Sequence, residues 1–85
     1  MNRTEALGIV KASIAHVIPD ADVTTLGPHD TFRDALDMDS LEFLHYVETL
    51  SERTGIRIDD EDTPQLTTLS GSADFLIAHA RSDTQ

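Results

Sequence analysis

Apolar residues at helical spacing open the chain. Leu7, Val10, Ile14 and Val17 recur every three or four positions, with Ile18 beside them, which predicts an amphipathic helix with one face on a core. Asn2 followed by Glu5 resembles a capping box, in which two orphan backbone N–H groups are satisfied reciprocally. Pro19 ends this helix, because it lacks a donor and pushes Ile18 out of the α region. Residues 19–39 then show no sustained period. Val23, Leu26, Phe32 and Leu36 are scattered among Pro19, Gly27 and Pro28, which suggests a long connection packed onto the core, with a short helical turn around Phe32–Leu36. Periodicity resumes at Asp39-Ser40, where Asp39 is a good N-cap and Glu42 offers a second capping box. Leu44, Val47 and Leu50 form one stripe, flanked by Phe43 and Tyr46. Gly55 is a natural stop, with Arg53 favouring the negative end of the helix dipole.

Beyond it, Ile56-Arg57-Ile58 is too short to make a convincing strand. Residues 59–66 suggest a short third helix, with Pro64 near its start and Leu66 facing inward. A last helix over Ser70–His79 uses Leu69, Ala73, Leu76, Ile77 and Ala80, and Ser82–Gln85 should fray. The expected fold is all-α: a small four-helix bundle, with three main helices, a short third helix and a long loop between helices 1 and 2. Residues 1–85 should form one domain, with an ordered core of roughly 3–81.

Charge changes the picture more than size does. The net charge is −10 on 85 residues, and positions 30–62 hold eleven carboxylates against Arg33, Arg53 and Arg57. A surface that faces phosphates needs lysine and arginine, so nucleic acid and anionic membranes are poor partners. No cysteine is present, which removes disulfides, thiolate metal sites and a cysteine nucleophile together. The first residues lack the apolar stretch of a secretory signal, and no apolar run approaches the roughly 18 residues of a membrane span, so a cytoplasmic protein is expected.

Within the acidic stretch one serine stands out, Ser40, placed at the first turn of a helix directly after an acidic cap. As a hydrolytic nucleophile it needs a base and an oxyanion hole. His45 lies five positions on, which turns it away, and no Gly-x-Ser-x-Gly elbow is present. Asp37-x-Asp39 begins like a calcium loop but lacks glycine at the sixth position, which is Glu42. The four histidines show no paired zinc spacing. No catalytic residue and no metal site are therefore expected. A modification site fits better: a phosphodiester on a serine at a helix N-terminus meets unpaired N–H groups and the positive end of the macrodipole.

Asp39-Ser40-Leu41 resembles the attachment motif of the acyl carrier proteins. The resemblance extends over roughly residues 4–80: the first helix, the Leu36-Asp37-Met38-Asp39-Ser40-Leu41 run, Gly55-Ile56-Arg57-Ile58 followed by Asp59-Asp60-Glu61-Asp62, and Leu66-Thr67-Thr68-Leu69 ahead of the last helix. It implies a carrier, not an enzyme, whose covalent cofactor is 4′-phosphopantetheine on Ser40, with Asp39 orienting the site. The arm would hold acyl groups as thioesters for fatty-acid, lipid or polyketide-type biosynthesis. Implied partners are a phosphopantetheinyl transferase and acyl ligases, transferases or synthases with basic docking patches, visited by a monomer. Asp34, Asp37, Met38, Leu41, Glu42, His45 and Glu48 would form the docking face. Phe43, Leu44, Val47, Leu50, Leu69, Leu76 and Ile77 would form the core or shelter an acyl chain. The chain departs from the family pattern in three places: Asp37 stands where glycine is common, His45 where an acid is usual, and Glu48 where an apolar contact residue is common. These departures suggest a specialised pathway. A peptidyl or aminoacyl carrier and an unmodified acidic adaptor are the rival readings.

Overall fold

The Asn2 side chain starts the first helix by accepting the Glu5 N–H at 2.8 Å. The return bond differs from the expected box: the Glu5 carboxylate takes the Asn2 side-chain amide at 3.2 Å, not its backbone N–H. A computed structural model describes the backbone of residues 1–83 and the side chains of residues 1–80. Its elements are α1 (Arg3–Val17), α2 (Phe32–Leu36), α3 (Ser40–Thr54), a 3₁₀ helix (Asp60–Leu66) and α4 (Leu69–Asp83). Among the described residues no strand forms beyond an isolated bridge between Thr31 and Thr68. The all-α bundle expected from the sequence is present. The last helix is longer than Ser70–His79 at both ends; it continues through the expected fraying point at Ser82, and residues 84–85 lie outside the described residues.

α1 packs on both α3 and α4, and the 3₁₀ helix packs on α4. The inward stripe of α1 is Ala6, Val10, Ser13 and Ile14, with Leu7 and Val17 half-buried at its edges. Ser13 is tolerated inside because its hydroxyl donates to the Ile9 carbonyl at 2.8 Å, so no polar atom is buried without a partner. Gly55, at φ 71°, closes α3 in the left-handed region that suits glycine, donating to the Ser51 carbonyl at 2.8 Å. At the start of α4 the Thr68 hydroxyl accepts the Gly71 N–H. A side chain at Gly71 would run into the Gln65 carbonyl, so glycine lets the 3₁₀ helix lie close against α4.

The long loop after α1 is pinned to the bundle. Leu26 and Phe32 are buried. Phe32 N–H donates to the Thr67 carbonyl, and Ser70 N–H to the Pro28 carbonyl, each at 2.9 Å. The exposed Arg3–Asp74 ion pair also ties α1 to α4, at 2.7 Å. Being solvated it contributes at most about 1 kcal/mol, against roughly 1.5–3 kcal/mol for each large apolar side chain buried.

At the centre lies Tyr46, with no accessible surface. Its hydroxyl donates to Ser72 Oγ at 2.7 Å, and Ser72 Oγ donates to the Leu66 carbonyl at 3.2 Å. Its ring meets Phe32 edge-on, with centroids 5.1 Å apart. Burial pushes the phenol pKa well above its ordinary value, opposed in part by the bond to Ser72, so Tyr46 stays neutral.

Two stability outcomes follow. Tyr46→Phe keeps the ring but removes one buried hydrogen bond, and should cost about 1 kcal/mol, a fall of roughly 4–8 °C in melting temperature; an unchanged melting curve would show the contact to be idle. Asp37, which ends α2 at φ 55° and ψ 36°, sits in the region that β-branched residues avoid. Asp37→Gly should be at least as stable as the parent, and Asp37→Val less stable by about 1–2 kcal/mol, measured by urea unfolding.

Candidate functional site

Three residues carry the chain from α2 into α3. Asp37 turns it through the left-handed region, its N–H bonded to the Phe32 carbonyl. Met38 follows and is buried at 4% exposure. This corrects the expectation that Met38 belongs to the docking face. The left-handed turn at Asp37 redirects the chain, and Met38 points into the core while Asp37 and Asp39 on either side of it remain outside. Buried Met38 anchors the link one residue before the cap. Asp39, with φ −86° and ψ 178°, then caps α3. Its Oδ1 accepts the Glu42 N–H at 2.8 Å, and Glu42 Oε1 accepts the Asp39 N–H at 3.1 Å. The expected capping box is complete.

The box leaves Ser40 as the first helical residue, exposed. Among the described residues, its hydroxyl has no hydrogen-bonded base, and the N–H groups of Ser40 and Leu41 have no acceptor. An anion esterified to Ser40 would meet those donors and the positive end of a 15-residue helix. Beside Ser40 lies an open cleft of about 640 Å³, to which Phe32, Met38 and Phe43 bring apolar surface and Thr31, Arg33 and Thr67 polar groups. An exposed, unassisted hydroxyl, backbone donors and an adjoining cleft fit the phosphate end of a phosphopantetheine arm. Activation of the hydroxyl has to come from another protein.

Asp34, Asp37, Asp39, Leu41, His45 and Glu48 are exposed near it, and Glu42 is half-buried. Leu41 is 63% exposed. Among the described residues the carboxylates of Asp34, Asp37, Asp39, Glu42 and Glu48 form no ion pair, so their field points outward. Leu44 corrects the core expectation, being 52% exposed. Tyr46, Val47 and Leu50 are the buried positions of α3 and Phe43 is half-buried; this stripe runs at i, i+3, i+4 and i+7, and Leu44 falls one residue off it. Leu44 instead joins Leu41 in an exposed apolar pair. Leu69 and Leu76 are buried and Ile77 half-buried.

The sequence reading missed Phe75, buried in α4 with His79 stacked on it at 4.0 Å, and the Tyr46–Ser72 contact. It also missed Thr31, Arg33 and Thr67 beside Ser40. The signal for Phe75 was a large apolar side chain inside the helix whose face runs through Leu69, Ala73 and Leu76. Nothing in the linear order could have brought Thr67 to Ser40.

Comparison with known proteins finds relatives of nearly the whole chain. The sequence model of the phosphopantetheine attachment site family matches residues 9–76. An acyl carrier protein of Thermosynechococcus vestitus is 33% identical over 76 residues, covering 89% of this chain and 93% of that protein. One of Rubrobacter xylanophilus is 29% identical over 79 residues, covering 93% and 96%. The solved structure of an acyl carrier protein from Enterococcus faecalis superposes with a TM-score of 0.73 at 25% identity, covering 93% of this chain and 99% of that one. The matched stretch contains the capped serine, all of α2, α3 and the 3₁₀ helix and more than half of α1 and α4, and the chain belongs to the acyl carrier proteins, the carriers of the phosphopantetheine-attachment family.

Proposed function

We propose that Ser40 is the residue that bears the 4′-phosphopantetheine arm, and that the acidic front of α2 and α3 is where partner enzymes dock. The observation that carries the first statement is the capped, exposed Ser40 with free N–H groups behind it and a cleft beside it. On a phosphopantetheinyl transferase with Mg²⁺, the Ser40 hydroxyl attacks the pantetheine-bearing phosphorus of coenzyme A. The pyrophosphate P–O bond breaks, 3′,5′-adenosine bisphosphate leaves, and the hydroxyl proton passes to the transferase or to water. The transferase and metal stabilise the developing charge. The arm then delivers acyl thioesters to successive enzymes, raising their local concentration at each active site. The chain itself performs no catalysis, and the surroundings we assign to it are cytoplasmic. Among the described residues no helix is long and apolar enough to cross a membrane.

The docking reading rests on charge and exposure. Asp34, Asp37 and Glu48 present unneutralised carboxylates around the exposed Leu41 and Leu44. Basic patches on partners speed encounter and fix register while leaving affinity modest, as a shuttle requires. Arg33, at the edge of the Ser40 cleft, is the local exception to the negative field.

Incubation with a phosphopantetheinyl transferase and coenzyme A should add one phosphopantetheine to the intact mass, and Ser40→Ala should stay at the apo mass. A wild-type protein that never gains mass would leave only the acidic adaptor. For docking, Glu48→Lys and Leu44→Ala should each slow acyl loading several-fold with an unchanged helical circular-dichroism signal; equal rates would remove these residues from the interface. Glu42 is unsuitable for that test, because its carboxylate holds the cap. Asp39→Ala should cost about 1 kcal/mol of stability in addition to slowing modification, since it removes the N-cap.

A further inference from the structure

The space between α3 and α4 is occupied by a polar contact. Tyr46 and Ser72 both have no accessible surface, and their hydroxyls bond at 2.7 Å across the two helices. Ser72 passes the chain of bonds on to the Leu66 carbonyl of the 3₁₀ helix at 3.2 Å. Phe32 closes the side towards Ser40, stacked edge-on against the Tyr46 ring. Two surface depressions open beside α3. One is the cleft beside Ser40, backed by buried Phe32 and Met38. The other is a groove of about 370 Å³ between α3 and the 3₁₀ helix, to which Leu44, Val47 and Ile58 bring apolar surface and Glu48, Glu52 and Asp60 carboxylates.

We infer that the acyl cargo of this carrier stays outside the helical bundle and belongs to the short or polar-chained class, because the Tyr46–Ser72–Leu66 chain fills the interior that a long hydrocarbon would need. This rests on Ser40 bearing the arm. A hydrocarbon passing between α3 and α4 from either depression has to part Tyr46 from Ser72. The phenol then faces methylene groups without a partner, and the Ser72 hydroxyl loses its donor. Ser72 still donates to the Leu66 carbonyl, and the loss of the phenol's partner offsets the gain from burying the first few methylenes. Displacing the Tyr46 ring also costs its edge-on contact with Phe32. A long apolar chain left outside keeps its surface in water, which disfavours such cargo. A short acyl group, or one with polar atoms along its length, has no such cost and lies within reach of the polar groups of the Ser40 cleft.

The test loads the full chain from butanoyl-, octanoyl- and dodecanoyl-coenzyme A through a phosphopantetheinyl transferase. Hydroxylamine cleavage of each thioester and the NMR shifts of the Tyr46 and Ser72 amides are then followed. The expected result is cleavage at rates within about twofold of one another, with both amides unmoved, because no sheltered state is populated. Slowing of the dodecanoyl thioester by about tenfold or more in the wild type, with displaced Tyr46 and Ser72 resonances, would overturn the proposal. The double variant Tyr46→Leu, Ser72→Ala removes the polar chain and should gain that protection. A folded double variant whose dodecanoyl thioester is cleaved as fast as the wild type's would also count against it. If the double variant does not fold, the wild-type comparison decides alone. Intact mass separates the two claims: a chain that gains no mass overturns the assignment of Ser40 and this inference with it, whereas a chain that loads and protects its cargo overturns this inference only.

Discussion

A buried tyrosine hydroxyl holds this bundle in register. Four of the five helical elements meet through Tyr46: its own α3, α2 through the Phe32 ring, α4 through Ser72, and the 3₁₀ helix through the Leu66 carbonyl that Ser72 reaches. The ring supplies apolar burial, which is the larger contribution, and the hydroxyl supplies direction. A buried phenol without a partner is costly, so packings that fail to align Tyr46 with Ser72 are disfavoured. α1 closes the assembly mainly by apolar packing, with the exposed Arg3–Asp74 ion pair at its edge and Ser13 satisfied inside its own helix.

Everything at the site hangs on that frame. With Phe32 fixed by Tyr46 and by the Thr67 carbonyl, α2 has a defined end. Asp37 turns the chain, Met38 plugs it into the core and Asp39 caps α3 one residue later. The capping box satisfies two of the orphan donors at the helix start and leaves those of Ser40 and Leu41 facing outward. The hydroxyl is thus displayed on a rigid corner, and among the described residues no base is hydrogen-bonded to it. That is the arrangement a carrier needs, since chemistry takes place on its partners.

The local signals in the sequence were faithful where local chemistry decides. Pro19, the Asp39–Glu42 pair and Gly55 mark helix ends because capping depends on residues within a turn of each other. Asp37 was marked as a departure from glycine, and its left-handed backbone shows that the position keeps its conformation with a residue that tolerates it. Faces were less legible than ends. Leu44 read as core because spacing of three through Val47 and Leu50 mimics a stripe, yet the buried side runs through Tyr46. Met38 reads as surface because it stands among acids, yet it is buried just after the left-handed turn at Asp37. Ser72 carried no signal: an isolated serine in a helix looks solvated until a tyrosine 26 positions earlier is seen above it. The cleft joins Thr31, Ser40 and Thr67 from three segments, and only the fold brings them together.

The claim on which this account turns is that one hydroxyl, Ser40, is displayed for modification and the others are not. Fragmentation mass spectrometry of the protein isolated from its own cells locates the arm most directly. The account predicts phosphopantetheine on the peptide that contains Ser40 and on no other residue. Recovery of that peptide unmodified, while the arm is found on another serine such as Ser51, would contradict it.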